Sequence, residues 1–140
     1  MSFLTTITVT ARVDMQDQFE GFVSNKSLPG ARVTLGDQSH EHRFTQPGEE
    51  HRFTVTADLE RGEHHVVLEF TDMAEAQGAI EILSLHLNGC PMGAVIYQCE
   101  YQPFHLDKAL RSHLYMGWPG RWSMTIRAPS YENHGGVGFG

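Results

Sequence analysis

Apolar and polar residues alternate along most of this chain with a period of two. From residue 3 to 13 the odd positions Ile7, Val9, Ala11 and Val13 are apolar, while Thr8, Thr10 and Arg12 take the other phase. β-Branched side chains at this density favour a strand, because they are stiff at χ1 and pack well on a pleated surface. Phe19, Phe22 and Val23 could supply a short strand before Leu28-Pro29-Gly30 turns the chain, and residues 31–35 read as another, stopped by Gly36-Asp37. Residues 52–59, 63–70 and 80–87 repeat the alternation, punctuated by Glu60-Arg61-Gly62, a polar loop over 71–78, and Asn88-Gly89. Such a run predicts an antiparallel sheet with one buried and one wet face. In its second strand Val66, Leu68 and Phe70 point inward. The third opens on Ile80 and Ile82 but closes on Leu83, Leu85 and Leu87, a phase change that predicts a β-bulge near Ile82 or a strand covered on both faces.

Further on, Val95, Tyr97, Cys99 and Tyr101 alternate through another predicted strand, and residues 106–113 predict a short helix. Trp122, Met124 and Ile126 form the last inward face. Roughly eight short strands, turn signals every 8 to 12 residues and little helix make this an all-β chain. The expected architecture is a two-sheet antiparallel β-sandwich of jelly-roll type over 1–127, with a Gly-rich C-terminal arm over 128–140. That arm is expected to be mobile or laid on a neighbouring subunit.

A short repeat lies inside this pattern. Glu41-His42-Arg43-Phe44-Thr45 recurs as Glu50-His51-Arg52-Phe53-Thr54, with the turn signal Pro47-Gly48 between the copies. A hairpin follows as the simplest reading, with Thr45 opposite Glu50, His51 opposite Phe44 and His42 opposite Phe53. It would put His40, His42, Phe44, His51, Phe53 and Val55 on one face, and a one-residue slip would reverse that face.

At 140 residues the chain is one domain's worth and can bury a core without metal or disulfide staples. The formal charge of −7, from 10 basic and 17 acidic side chains, argues against nucleic acid or an anionic membrane as partner. The N-terminal residues lack the basic and apolar regions of a signal peptide, and no apolar run reaches the length needed to span a bilayer. Cys90 and Cys99, with no CxxC motif, read as reduced thiols, although a bridge between them stays open.

Candidate chemistry is sparse. Gly-x-Ser-x-Gly, Walker-type and GxGxxG patterns are absent, and no catalytic or cofactor-binding residue is assigned. His40, His42 and His51, if they converge, could hold zinc with an open position; equally they could be rings stacked on Phe44 and Phe53 at the rim of the core, and the expectation is that no metal is bound there. His64 and His65 are adjacent and must face opposite sides of a strand. Asp72 and Glu75 could offer oxygen atoms to calcium, or simply sit in a solvated loop. Trp118, Trp122, Tyr97, Tyr101 and Tyr115 are the pool for a sugar-stacking platform, and Trp118, in a tight loop, is the best placed.

Two segments carry a family resemblance. Ile80-Glu81-Ile82 through Asn88-Gly89 to Gly93 is similar to the "I-E-I-x-x-x-x-x-D/N-G-x-x-x-G" turn of small virion-associated β-sandwich proteins of tailed, marine myovirus-like bacteriophages. Met116-Gly117 through Gly120 to Pro129 and Tyr131 is similar to that group's "M-G-x-x-G-x-x-x-x-x-x-x-x-P-x-Y" close. The resemblance covers 62–131. It implies a non-enzymatic bacteriophage structural protein, a capsid decoration or tail/fibre component made in the host cytoplasm, residing in the virion as a homo-oligomer with other virion proteins. The same strand grammar also resembles calcium-dependent carbohydrate-binding modules, echoed by Leu68-Glu69-Phe70-Thr71-Asp72 and by 83–89. That second resemblance implies a glycan partner and a role in adhesion.

Overall fold

A computed structural model describes residues 1–14, 29–46, 48–70, 79–104 and 106–134. Eleven strands occur among them: β1 (Ser2–Asp14), β2 (Gly30–Leu35), β3 (Gln38–Arg43), β4 (Glu50–Glu60), β5 (Gly62–Phe70), β6 (Ala79–Leu87), β7 (Cys90–Pro91), β8 (Glu100–Pro103), β9 (Leu110–Arg111), β10 (Tyr115–Met116) and β11 (Gly120–Ala128). The described residues contain no α-helix. The strands form two antiparallel sheets, so the expected β-sandwich is the fold. One sheet runs β10-β6-β1-β4 with β7 added to β6; the other runs β3-β2-β5-β11-β8-β9.

The core fills the space between them. Ile7, Val9, Ala11 and Val13 are fully buried, as their phase requires, and share one core with the buried Val66, Leu68, Trp122 and Ile126 of the other sheet. The phase change in β6 is a bulge. Thr10 pairs with Ser84 but Ala11 pairs with Ile82, so Leu83 is the extra residue. Leu83 and Ser84 therefore both turn outward, while Ile82 and Leu85 stay buried.

Four expectations are corrected. Strands over 52–88 do not make one continuous sheet: β4 and β6 lie in one layer and β5 in the other. Period-two alternation marks an inner face, but both sheets have their inner faces on the same core. The hairpin between the repeat copies does not form either. β3 pairs with β2 and β4 with β1, because Gly48 N–H donates to Val13 O (3.1 Å) and Val13 N–H to Glu49 O (3.0 Å). The chain at Glu49 has thus already joined β1, and an arch to which residues 44–46 and 48–49 belong leads from one sheet to the other.

Third, the strand expected through Val95 and Tyr97 is a 3₁₀ turn, Gly93–Gln98, with the strand proper starting at Glu100. Asn88 (φ 50°) and Gly89 (φ 83°) make the predicted tight turn, but Gly93 (φ 57°) then coils the chain. The buried positions there are Met92, Ile96 and Cys99, a helical spacing, and Tyr97 is exposed. The helix expected over 106–113 is also absent among the described residues, where a turn leads into β9.

Register places the wide connections together. Asp14 pairs with Ala79, Ala31 with Phe70, and Pro103 with Gly120. The arch after β3, the segment 117–119 and the chain leaving β8 consequently emerge at one end of the sandwich, the end that also holds Asp14, Gly30, Phe70 and Ala79. Phe19, Phe22, Val23, Asp72, Glu75 and residues 135–140 lie outside the described residues. Within the C-terminal arm, Ser130–His134 forms a 3₁₀ turn held on β11, where the Asn133 side chain accepts from Arg127 N–H and donates to Arg127 O, both at 2.7 Å.

Candidate functional site

The three histidines do converge, although by a different route from the one expected. β3 and β4 are edge strands of opposite sheets, and their inner faces look at each other across the open rim. His40 and His42 are inward residues of β3; His51 and Phe53 begin the inward face of β4, which continues through Val55, Ala57 and Leu59. His42 and His51 stack with centroids 3.7 Å apart and planes 4° from parallel. His40 Nε2 meets His51 Nε2 at 3.0 Å, so one of the two nitrogens carries the proton and the other accepts it. Beneath them lie Phe44 and Phe53, both buried, in edge-to-face contact with His42 and His51 respectively.

Glu49 ties this cluster to the arch. Its Oε2 accepts from His42 Nε2 at 2.8 Å, and its Oε1 accepts from Thr45 N–H at 2.7 Å and from Gln46 N–H at 3.3 Å. Burial alone would raise this carboxyl, but the Thr45, His42 and Gln46 bonds outweigh it and hold Glu49 below the usual range. His51 is lowered, first by burial and then by the neighbouring His42 and His40, with Glu49 pulling the other way. On the far side of the ring pair, His40 Nδ1 reaches the edge backbone of Thr54, whose N–H and C=O both lie 3.3 Å away. The cluster covers the edge of β4, where unpaired backbone groups would otherwise face water.

This arrangement packs and latches. Among the described residues no three or more His, Cys, Asp and Glu side chains are placed to hold a metal ion. His64 and His65 face opposite sides, bonded respectively to Glu60 O and to Thr125 Oγ1. Cys90 is exposed and Cys99 buried, and both are free thiols.

A second feature occupies the loop end. Trp118 is 49% exposed and Phe104 47%, and their segments are joined where Phe104 N–H donates to Pro119 O at 3.0 Å. The backbone under both rings is held tightly. Buried Tyr101 donates its hydroxyl to Trp118 O and accepts from Trp118 N–H at 3.0 Å; burial raises that phenol, partly offset by the Trp118 bond. Gln102 Nε2 donates to Pro103 O at 2.8 Å and to Leu106 O at 2.7 Å, shaping the turn that carries Phe104. Of the aromatic pool, Trp122 and Tyr101 are core and Tyr115 is half-buried, with its hydroxyl donating to Asp14 at 2.7 Å. Phe104 was not singled out from the sequence. Its parity with Gln102, outward of Tyr101 and Pro103, is the signal that marks it as an exposed ring.

No family model matches the chain, and no protein of curated function matches it. Two solved structures do. One is a vCBM60 in complex with galactobiose, with a TM-score of 0.55 and 15% identity over 84% of this chain and 95% of that one. The other is the selenomethionine form of vCBM60, reported with a circular permutation linking two families of calcium-dependent carbohydrate-binding modules; it gives 0.53 and 16% over 85% and 88%. At this identity the likeness establishes the fold. Of the two resemblances in the sequence, it falls on the carbohydrate-binding modules; neither matched structure is a virion protein.

Proposed function

We propose that this chain is a non-catalytic carbohydrate-binding module that presents its ligand site at the loop end of the sandwich. The observation that carries the reading is the likeness to a galactobiose-binding module over nearly that module's whole length. The exposed rings of Trp118 and Phe104 supply the chemistry, because the C–H faces of a sugar ring pack on aromatic planes and the surrounding polar groups meet its hydroxyls. Tyr101 and Gln102 hold the backbone that bears those rings, so little ordering is left to pay on binding.

Calcium enters the matched module's description, and Asp72 and Glu75 are the acids this sequence offers for it. Both lie outside the described residues, and no cluster among the described residues fits the ion. No part of the reading is routed through calcium.

Affinity electrophoresis through gels cast with neutral polysaccharides (galactan, xylan, mixed-linkage glucan), with calcium or EDTA, tests the proposal. Retardation by at least one polymer, weakened in Trp118→Ala, is the expected result. Migration unchanged by every polymer, with and without calcium, would sink it.

A further inference from the structure

The outer face of the five-stranded sheet is not flat. Its central strand, β1, turns Thr6, Thr8 and Thr10 outward, all short side chains. β4 raises Glu50 and Arg52 along one side. On the other side the β6 bulge lifts Leu83, 38% exposed, with Ser84 and His86 beside it. A hollow of about 460 Å³ results, floored by Thr8 and Thr10 and running from Glu50 towards Gly89. That volume lies within the range of small-ligand sites. The floor that Thr10 and Thr8 provide is about 7 Å long at the rise of a strand, and the walls extend beyond it at both ends. The Arg12–Glu81 ion pair bounds it towards the loop end, which separates it from Trp118.

We infer that this trough is a second glycan site, taking an extended, uncharged, polyhydroxylated chain along β1. The inference rests on the reading of the chain as a carbohydrate-binding module. Each threonine hydroxyl both donates and accepts, as sugar hydroxyls do, and Thr8 spends only a long 3.4 Å contact on Thr54. Arg52 and Glu50 on one wall offer planar donors and acceptors of opposite charge, which suits a neutral ligand. Leu83 gives the C–H face of a ring an apolar wall.

Other occupants fit less well. β1 is paired on both sides, so no peptide can add to it as a strand. The formal charge of −7 disfavours nucleic acid. The bulge itself supports a built feature, since without it Leu83 would follow the core phase of Leu85 and Leu87 instead of forming a rim.

The test uses the ¹⁵N-labelled chain titrated with soluble oligomers of whichever neutral polysaccharide retards it, together with Thr8→Val/Thr10→Val. Valine keeps the β-branch and the shape, so the sheet is preserved while the hydroxyls go. The expected result is amide shifts at Thr8, Thr10 and Ser84 in the wild type, and an affinity about fivefold lower in the double variant, the factor for one net hydrogen bond. Trp118→Ala should lower affinity independently. Shifts confined to the loop end, with the double variant binding like the wild type, would overturn the trough and leave the module reading intact. Shifts in the trough with Trp118→Ala silent would support the trough and overturn the loop-end placement. No retardation by any polymer overturns both, and shifts at the same amides that grow with protein concentration alone would assign the face to a second copy of the chain.

Discussion

His42 lies flat on His51, at 3.7 Å between ring centroids, although the two belong to edge strands of different sheets. The stack makes the rim sensitive to protons. A charge on His51 is disfavoured first by burial and then by the neighbouring His42 and His40, and it would put a second proton into the Nε2–Nε2 contact with His40. His51 is lowered from an ordinary value of 6.5, so the unfolded chain binds this proton more readily, and stability is lost as pH falls below about 6.5. Glu49 is lowered from 4.5 and Glu69 likewise, despite burial that opposes both, the latter through Arg121 and Arg32. Their contributions are present above 4.5 and lost as pH falls through their folded values. The urea midpoint should therefore decline in two stages. In His51→Phe, which keeps a ring in the stack but cannot titrate, the decline between pH 7 and 5.5 should flatten while the lower stage stays. An unchanged upper stage in that variant would remove His51 as its cause.

Gly120 opens β11 opposite Pro103. A Cβ there would sit 2.5 Å from the Gln102 carbonyl oxygen and 2.8 Å from Pro103 Cα, both backbone atoms that cannot swing aside. Gly120→Ala should cost about 1–3 kcal/mol, the usual penalty for forcing atoms into a packed site. Chemical denaturation of the purified variant checks it. Gly89, with nothing within 4 Å of the corresponding position, offers no such clash and fails for a different reason, its positive φ.

How far the sequence reaches can be seen by comparing two of its segments. In β1 and β5, strict alternation told which residues are buried, because burial on one face is what a half-wet strand requires. The same alternation is silent about which sheet a strand joins, since both inner faces look at one core; hence β4, β5 and β6 read as one sheet and are not. The histidine cluster was legible for the same reason. His40, His42 and His51 have inward parity, and inward residues of either sheet meet at the rim even when the pairing is misassigned. The residues 93–98 were not legible, because Val95 and Tyr97 imitate a strand while the positive φ of Gly93 starts a coil that buries Ile96 in their place. The trough was half-visible: the phase change in β6 announced a bulge, but only the three-dimensional neighbours show what it walls.

The two cysteines should differ sharply towards thiol reagents. Cys90 is exposed, whereas Cys99 is 2% exposed, donates to His113 O at 3.5 Å, and has its thiol pushed up by burial, with Trp122 and His113 pulling slightly back. Because the thiolate is the reactive form, Cys99 should stay inert in the folded chain. An aromatic disulfide reagent should titrate one thiol rapidly under native conditions and both after denaturation. Absence of any titratable thiol in the unreduced, unfolded chain would reveal a bridge instead.

The Tyr101 hydroxyl binds both the N–H and the C=O of Trp118, a pairing that a strand neighbour would normally provide. Tyr101 itself is fully buried, so Tyr101→Phe leaves the ring packed and removes only the oxygen. Two backbone groups then lose their partner, at a cost of about 1–3 kcal/mol, less where water reaches them. The larger consequence is for the loop. With Trp122→Phe as background, Trp118 is the sole tryptophan and its fluorescence reports on its segment alone. Adding Tyr101→Phe should lower the anisotropy of Trp118 and weaken retardation by polysaccharide more than the loss of stability explains, because a ring that must be ordered on binding costs affinity. Unaltered anisotropy with unaltered retardation would mean that Tyr101 stabilises the core without positioning the exposed ring.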